Sequence, residues 1–174
     1  MIRLLAICGS LRAVSTSAAL LQAAALLAPE GMVVDRYDGL AELPHYNPDL
    51  DIDPTPSSVR TWREAIRQAD GLIISSPEYA RGVPGSLKNA LDWLVSSEVF
   101  PGKPVALFNA SERSVAMQSA LRLVLETMSA RMVDAATISV PLLGKQTDAT
   151  LLVADPECAA KIRGALEAYA EFLA

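Results

Sequence analysis

A three-layer α/β fold built on a doubly wound, parallel, five-stranded sheet is what this sequence predicts, and three observations carry that expectation. Short apolar runs alternate with helical periods along the chain. The runs are apolar at consecutive positions, the mark of strands covered on both faces. Each is followed by a helical stretch, the pattern of strands lying parallel in one sheet. Five such strands suit the order 2-1-3-4-5. With 174 residues and no repeat, low-complexity tract or linker, residues 1–174 are expected to form a single domain.

The elements follow in order. Ile2 to Cys8 is the first strand, continuously apolar after Arg3. Thr16 to Ala28 reads as a helix, stopped by Pro29-Glu30-Gly31. Met32 to Tyr37 is the second strand, and Asp38 to Asp53, rich in Pro, Asp and Asn, is loop. Ser57 to Ala69 is helical, with Val59, Trp62 and Ile66 on one side. Gly71 to Ser75 is the third strand. In the helix that follows, Leu87, Ala90, Leu91, Leu94 and Val95 fall on one stripe. Pro104 to Asn109 is the fourth strand, and Met117, Ala120, Leu121, Val124, Leu125 and Met128 form another stripe. Val133 to Val140 is expected as the fifth strand. Residues 156–173 form the last helix, with Ile162, Ala165, Leu166, Tyr169 and Leu173 facing inward. Trp62 and Trp93 sit in helical patterns and are expected at packing or interface positions.

Composition excludes several function classes. A net charge of −5 and a pI near 4.9 argue against nucleic acid or an anionic membrane as partner. No segment approaches membrane-spanning length, and the apolar stretch at the N-terminus is too short for a signal sequence. A cytoplasmic protein is expected. The two cysteines, Cys8 and Cys158, have neither redox-motif nor metal spacing and are expected as inert thiols. His45 is the one histidine, so no triad or metal cluster built on two histidines can form. Ser75-Ser76 lies at a strand end without a surrounding G-x-S-x-G, and the carboxylates show no acid/base pair. No metal site is expected.

In a sheet of this order, ligands bind beyond the carboxyl ends of the strands where the order reverses, between strands one and three. Two loops flank that crevice, Gly9 to Ser15 and Ser76 to Gly85. The first, within "CGSLRAVSTS", brings hydroxyls at Ser10, Ser15, Thr16 and Ser17 and the cation Arg12 to a helix start. Hydroxyls and backbone N–H groups at such a point make an anion site, and a guanidinium adds a charge-assisted partner for phosphate. Neither a G-x-G-x-x-G turn nor a P-loop is present. The same residues also suit a plain helix start, with Ser15 as N-cap and Arg12 exposed. In the second, "PEYARGVPGSLKNALDW", Pro77 and Pro84 fix the path, and Gly82 and Gly85 remove side chains. Its backbone could lie against a flat ligand, with Tyr79 at one edge. A tight strand-to-helix connection accounts for Pro84 and Gly85 but less readily for Pro77-Glu78-Tyr79.

Together, "GSLRAVSTS" and "PEYARGVPGSLKNALDW" resemble the two signature loops of the NADPH-dependent FMN reductase family, a flavodoxin-like group that includes chromate, quinone and azo-dye reductases. "ELPHYNPDLD" (Glu42 to Asp51) is similar to the family's segment after strand two. The resemblance implies bound FMN, with NADPH or NADH as co-substrate. It implies that Ser10, Arg12, Ser15 and the Thr16–Ser17 backbone would hold the 5′-phosphate. Pro77, Glu78, Tyr79 and the backbone through Ala80, Arg81 and Gly82 would flank the isoalloxazine ring, and Ser111 would approach its other edge. No side chain is expected to be catalytic, because the cofactor carries the chemistry. The expected reaction passes hydride to flavin N5 and then, in ping-pong fashion, to a quinone, a chromate-like oxyanion, an azo compound or free flavin. A homodimer or homotetramer is implied, with Arg81 and the loop Asp38 to Asp53 at the mouth.

Three departures from the family pattern stand out. Ser17 and Ala80 occupy positions where the family commonly has Asn, and "NASERSVAMQ", with Glu112 and Arg113, replaces a glycine-rich turn. A cation at Arg113 near the flavin's N1–C2=O edge would favour its reduced anion; the same residue also suits a surface arginine at the start of a helix. The alternative is a non-catalytic flavin-binding or electron-carrier protein of the same fold, with a weakened FMN site.

Overall fold

A computed structural model describes residues 1–142 and 148–174. Strand β1 (Ile2–Cys8) is paired in parallel with β2 (Met32–Tyr37) on one side and β3 (Gly71–Ser75) on the other. β4 (Pro104–Asn109) pairs with β3, and two short strands, β5 (Arg131–Met132) and β6 (Ile138–Ser139), pair with β4. The order is the expected 2-1-3-4-5.

Alternate residues along β1, β3 and β4 enter two separate cores, which is why these strands read as unbroken apolar runs. Leu4, Ala6, Cys8, Ile73, Ala106 and Phe108 face one core, closed by helices α1 (Thr16–Leu26), α5 (Ala149–Ala154) and α6 (Pro156–Leu173). Leu5, Ile7, Leu72, Ile74, Val105 and Leu107 face the other, closed by α2 (Ser57–Gln68), α3 (Gly85–Asp92) and α4 (Val115–Thr127). Trp62 and Trp93 are fully buried in this second core.

The fifth strand departs from expectation. Asp134–Ala136 turns out of the ladder between β5 and β6. Alanine is a poor strand former, and Ala136 is buried in the core beneath α6 instead of extending the edge. The ladder is carried past the turn by Thr137, whose hydroxyl accepts from Leu107 N–H (3.2 Å) and donates to the Val133 carbonyl (3.2 Å). Val140 N–H then bonds the Asn109 carbonyl at 2.8 Å. Helix α5 is an addition to the elements expected from the sequence. In the stripe beside α3, Leu87, Ala90, Leu91 and Leu94 are buried while Val95 is exposed, because the helix ends at Asp92.

Two polar contacts fasten the layers. The Tyr169 hydroxyl, buried under α6, accepts from Leu72 N–H (3.0 Å) and donates to the Leu72 carbonyl (3.1 Å). Gly71 leaves room for it: a Cβ there would lie 2.3 Å from the hydroxyl oxygen. On the opposite face the 38–53 loop, which contains 3-10 turns at Gly39–Glu42 and Pro48–Leu50, is pinned to α2 and α3. Trp93 Nε1 donates to the Pro44 carbonyl at 2.7 Å. The Arg63 guanidinium reaches Asp51 (2.9 Å), the Trp93 carbonyl (2.7 Å) and Ser96 Oγ (3.0 Å). The Ser96 hydroxyl also donates to Asp51. The hydrogen bond from Arg63 holds the Asp51 carboxyl below the usual carboxylate range, against the effect of burial and with help from Ser96.

Both contacts can be tested by denaturation. Tyr169→Phe strips both Leu72 backbone groups of a partner and is expected to cost about 1–3 kcal/mol in urea. For Asp51 the folded pKa is depressed, so its contribution is present above the unfolded value of about 3.9 and is lost as pH falls through the folded one. The wild type should therefore lose stability more steeply than Asp51→Asn as pH is lowered below about 4, read from urea midpoints across that range.

Candidate functional site

The site is built where β1 and β3 end. Cys8 and Ser75 are register partners, and Gly9 N–H donates to the Ser75 carbonyl at 2.9 Å. A Cβ on Gly9 would lie 2.2 Å from Ser76 Oγ and 3.1 Å from the Leu87 side chain. Only glycine lets the two loops leave the sheet this close together.

In the first loop, Ser10 Oγ accepts from Arg12 N–H at 3.3 Å and folds the chain back over the strand end. Ser15 has extended backbone and caps α1, its hydroxyl accepting from Ala18 N–H at 3.4 Å. The N-cap use of Ser15 is therefore realised. Thr16 and Ser17 form the first turn of α1, where N–H groups lack acceptors inside the helix and the macrodipole is positive. Arg12 is exposed, and among the described residues no carboxylate pairs with it. Ser10 and Ser15 are buried at the rim, and Ser17 is only 2% exposed. The loop thus presents one uncompensated cation and a helix N-terminus to the same space.

The second loop is a two-residue hairpin. Gly82 N–H donates to the Tyr79 carbonyl (2.9 Å) and Tyr79 N–H to the Gly82 carbonyl (3.2 Å). Between them Ala80 (φ 48°) and Arg81 (φ 58°) are both left-handed, the shape of a type I′ turn. Asn-Gly is the usual solution for such a turn. Ala and Arg hold it here at a cost on the order of 1 kcal/mol each. Pro77 precedes the hairpin half-buried, and Tyr79 stands exposed at its side. The Glu78 carboxylate turns away and accepts from Met117 N–H in the first turn of α4, at 3.0 Å. That contact accounts for Glu78, which a tight connection alone leaves unexplained.

The third loop follows β4. Ser111 Oγ accepts from Arg113 N–H (3.2 Å), and its carbonyl accepts from Gln118 Nε2 (3.3 Å). Glu112 and Arg113 are exposed. The structure therefore joins the candidates in two steps. Gly9 against Ser76 joins Ser10, Arg12, Ser15, Thr16 and Ser17 to the hairpin. Glu78 against Met117 joins Pro77 to Gly82 to the helix that begins beside Ser111.

Sequence reasoning missed the far side of the first loop. Ser10 and Arg12, with Arg36 and Tyr37 from the end of β2 and Asp38 and Leu40 from the turn after it, line a cleft of about 270 Å³. Arg36 Nε bonds Asp38 Oδ1 at 2.6 Å. No sequence signal marks it, because the cleft arises from strand order alone. Burial pushes the Cys8 thiol up, against the influence of its bond to the Ser10 carbonyl, so it is held as an inert thiol. His45 is exposed. Among the described residues no group of His, Cys, Asp and Glu could hold a metal.

Comparison with known proteins adds an independent line. Residues 2–143 match the sequence model of the NADPH-dependent FMN reductase family. An NAD(P)H-dependent FMN reductase of Pseudomonas aeruginosa is 42% identical over 112 residues, which cover 63% of this chain and 60% of that protein. A quinone reductase of Escherichia coli K12 is 39% identical over 106 residues, covering 59% and 56%. The chain thus matches under two thirds of the length of these curated relatives. Among solved structures, the flavoenzyme NAD(P)H:(acceptor) oxidoreductase of Paracoccus denitrificans superposes with a TM-score of 0.81 at 24% identity, over 99% of this chain and 97% of that one. That likeness speaks for the fold alone. An apo NADH:FMN oxidoreductase superposes with a TM-score of 0.69 at 25% identity, over 100% and 91%.

The strained turn yields a stability prediction. Ala80→Gly removes the left-handed penalty and is expected to stabilise the protein by about 0.5–1 kcal/mol in urea denaturation, whereas Gly9→Ala should cost about 1–3 kcal/mol by overpacking the loop base.

Proposed function

This chain belongs to the NADPH-dependent FMN reductase family, and from that premise we propose that it is an FMN-dependent NAD(P)H oxidoreductase delivering electrons to a small-molecule acceptor. The observation that carries the proposal is the first loop: an exposed Arg12 without a carboxylate partner among the described residues, at the N-terminus of α1. That donor set fits a phosphate monoester, since it combines a guanidinium, first-turn N–H groups and the rim hydroxyls of Ser10 and Ser15. A preformed hairpin stands beside it, with its backbone turned by Ala80 and Arg81 and with Tyr79 exposed. The residues present therefore fit FMN.

Each residue has a role in this proposal. Arg12 neutralises the phosphate, and the Thr16 and Ser17 N–H groups orient it. Pro77 to Gly82 walls one edge of the ring, and Ser111 stands at the other. When bound, FMN supplies the two-electron chemistry that no side chain here can supply. A wall on one edge leaves one ring face open, so nucleotide and acceptor would use the same space in turn, which means ping-pong kinetics. Quinones are the first acceptor class to test, since two relatives are named for FMN and quinone reduction. Chromate-like oxyanions, azo compounds and free flavin are further acceptors within the proposal. A dimer or tetramer would complete the mouth beside Arg81 and the 38–53 loop. The working compartment proposed is the cytoplasm; among the described residues no helix is long and apolar enough to cross a membrane.

A second reading, a flavin carrier without nucleotide turnover, is favoured by one observation. Ser17 is almost fully buried, which withdraws a hydroxyl from the phosphate.

An anaerobic titration separates the two. Protein reconstituted with FMN should be yellow, bleach on addition of NADH or NADPH, and recover its colour with a quinone. Initial rates should give parallel double-reciprocal lines. Yellow protein that neither nucleotide bleaches would establish the carrier, and protein without flavin affinity would refute both readings. Arg12→Ala should weaken FMN binding about 10–100-fold, the effect of losing a charge-assisted contact.

A further inference from the structure

The Glu78 side chain has a partner that the sequence gives no hint of. Helix α4 begins at Val115 after Ser114, whose side chain makes no capping hydrogen bond. The first-turn donor at Met117 is met instead by a carboxylate from a different loop, 39 residues away, at 3.0 Å. A carboxylate at this end of a helix is also favoured by the macrodipole. Glu78 is half-buried and sits directly before the hairpin Tyr79–Gly82, whose two mutual hydrogen bonds make it a stiff unit. On the α4 side, Gln118 follows Met117 and bonds the Ser111 carbonyl. A short chain of contacts therefore runs from the hairpin through Glu78 and the first turn of α4 to Ser111.

We propose that Glu78 is a positioning residue whose carboxylate ties the hairpin to α4 and so sets the separation between the Tyr79–Gly82 wall and Ser111. This rests on the flavin-site reading above, in which those two segments hold opposite edges of the ring. Glu78 acts through the backbone it anchors, and its carboxylate does not itself touch the flavin. A neutral amide at this position keeps an acceptor for Met117 N–H, so charge is secondary to the bond.

The test compares Glu78→Gln, Glu78→Ala and the double variant Glu78→Ala with Ser114→Asp. The carboxylate that Ser114→Asp adds is placed to cap α4 from the helix's own N-cap position without reaching the hairpin. FMN affinity and the visible circular dichroism of the bound flavin are measured for each. Glu78→Ala should bind FMN about tenfold more weakly, with an altered flavin spectrum. Glu78→Gln should stay within about twofold of the wild type. The double variant should regain thermal stability yet remain weak for FMN. Recovery of FMN affinity in the double variant would overturn the proposal, because Glu78 would then act only as a cap. Wild-type affinity in Glu78→Ala, or equal loss in Glu78→Gln, would overturn it too. Should Glu78→Ala not fold, Glu78→Asp, one methylene short of Met117, takes its place with the same outcomes. Amide exchange in flavin-free protein separates this proposal from the site reading: Glu78→Ala should speed exchange at Met117 and at Tyr79 and Gly82 together. If Met117 alone responds, the tether does not exist, whatever the protein binds.

Discussion

Everything at the carboxyl edge of this sheet depends on the contact between Gly9 and Ser76. The two residues follow adjacent parallel strands, and their approach leaves no room for a Cβ on the first. The chain after β1 goes to α1 in one core, and the chain after β3 goes to α3 in the other. Two loops with a shared base but opposite destinations must diverge, and the space between them is the crevice expected where strand order reverses. A larger residue at position 9 would push the bases apart and change the crevice before it touched any ligand.

Stiffness above that base comes from backbone hydrogen bonds and caps, with little contribution from side-chain bulk. Ser10 folds its loop onto Arg12 N–H, Ser15 closes α1, and Tyr79 and Gly82 bond each other. The hairpin keeps two non-glycine residues left-handed, a conformation that persists only where surrounding contacts over-determine it. One such contact is Glu78 on α4, and the chain runs on from the hairpin into α3. That helix is itself fixed by Trp93, Asn89 and Arg63, which fasten the 38–53 loop across it. The second core thus carries the wall of the site, and the first core carries the phosphate-suited helix start.

Much of this is legible in the sequence, for physical reasons that differ by element. β1, β3 and β4 lie between two cores, so their burial writes continuous apolar runs that end at Gly, Ser or Asn. The fifth strand reads as one piece yet is two, because it sits at an edge and its central Ala136 prefers the core to the ladder. The Thr137 hydroxyl that bridges the gap is a side-chain substitute for a backbone bond, which propensity cannot show. Helix α5, six residues long, is too short to display a period. At the site, Arg12 and the Ser15 cap can be read locally, since a cap is a short-range signal. The partner of Glu78 cannot, because nothing at residue 78 reveals a donor at residue 117. The left-handed Ala80 and Arg81 are hidden for a related reason: the turn is imposed by its anchors against the preference of its residues.

The most direct test of this arrangement is a crystal structure of the protein grown with FMN. The phosphate should lie within hydrogen-bond reach of Arg12 and the Thr16–Ser17 N–H groups, and the ring should run between the Tyr79–Gly82 hairpin and Ser111. Flavin seated instead in the cleft toward Arg36 and Asp38, or a crevice that stays empty at saturating FMN, would contradict it.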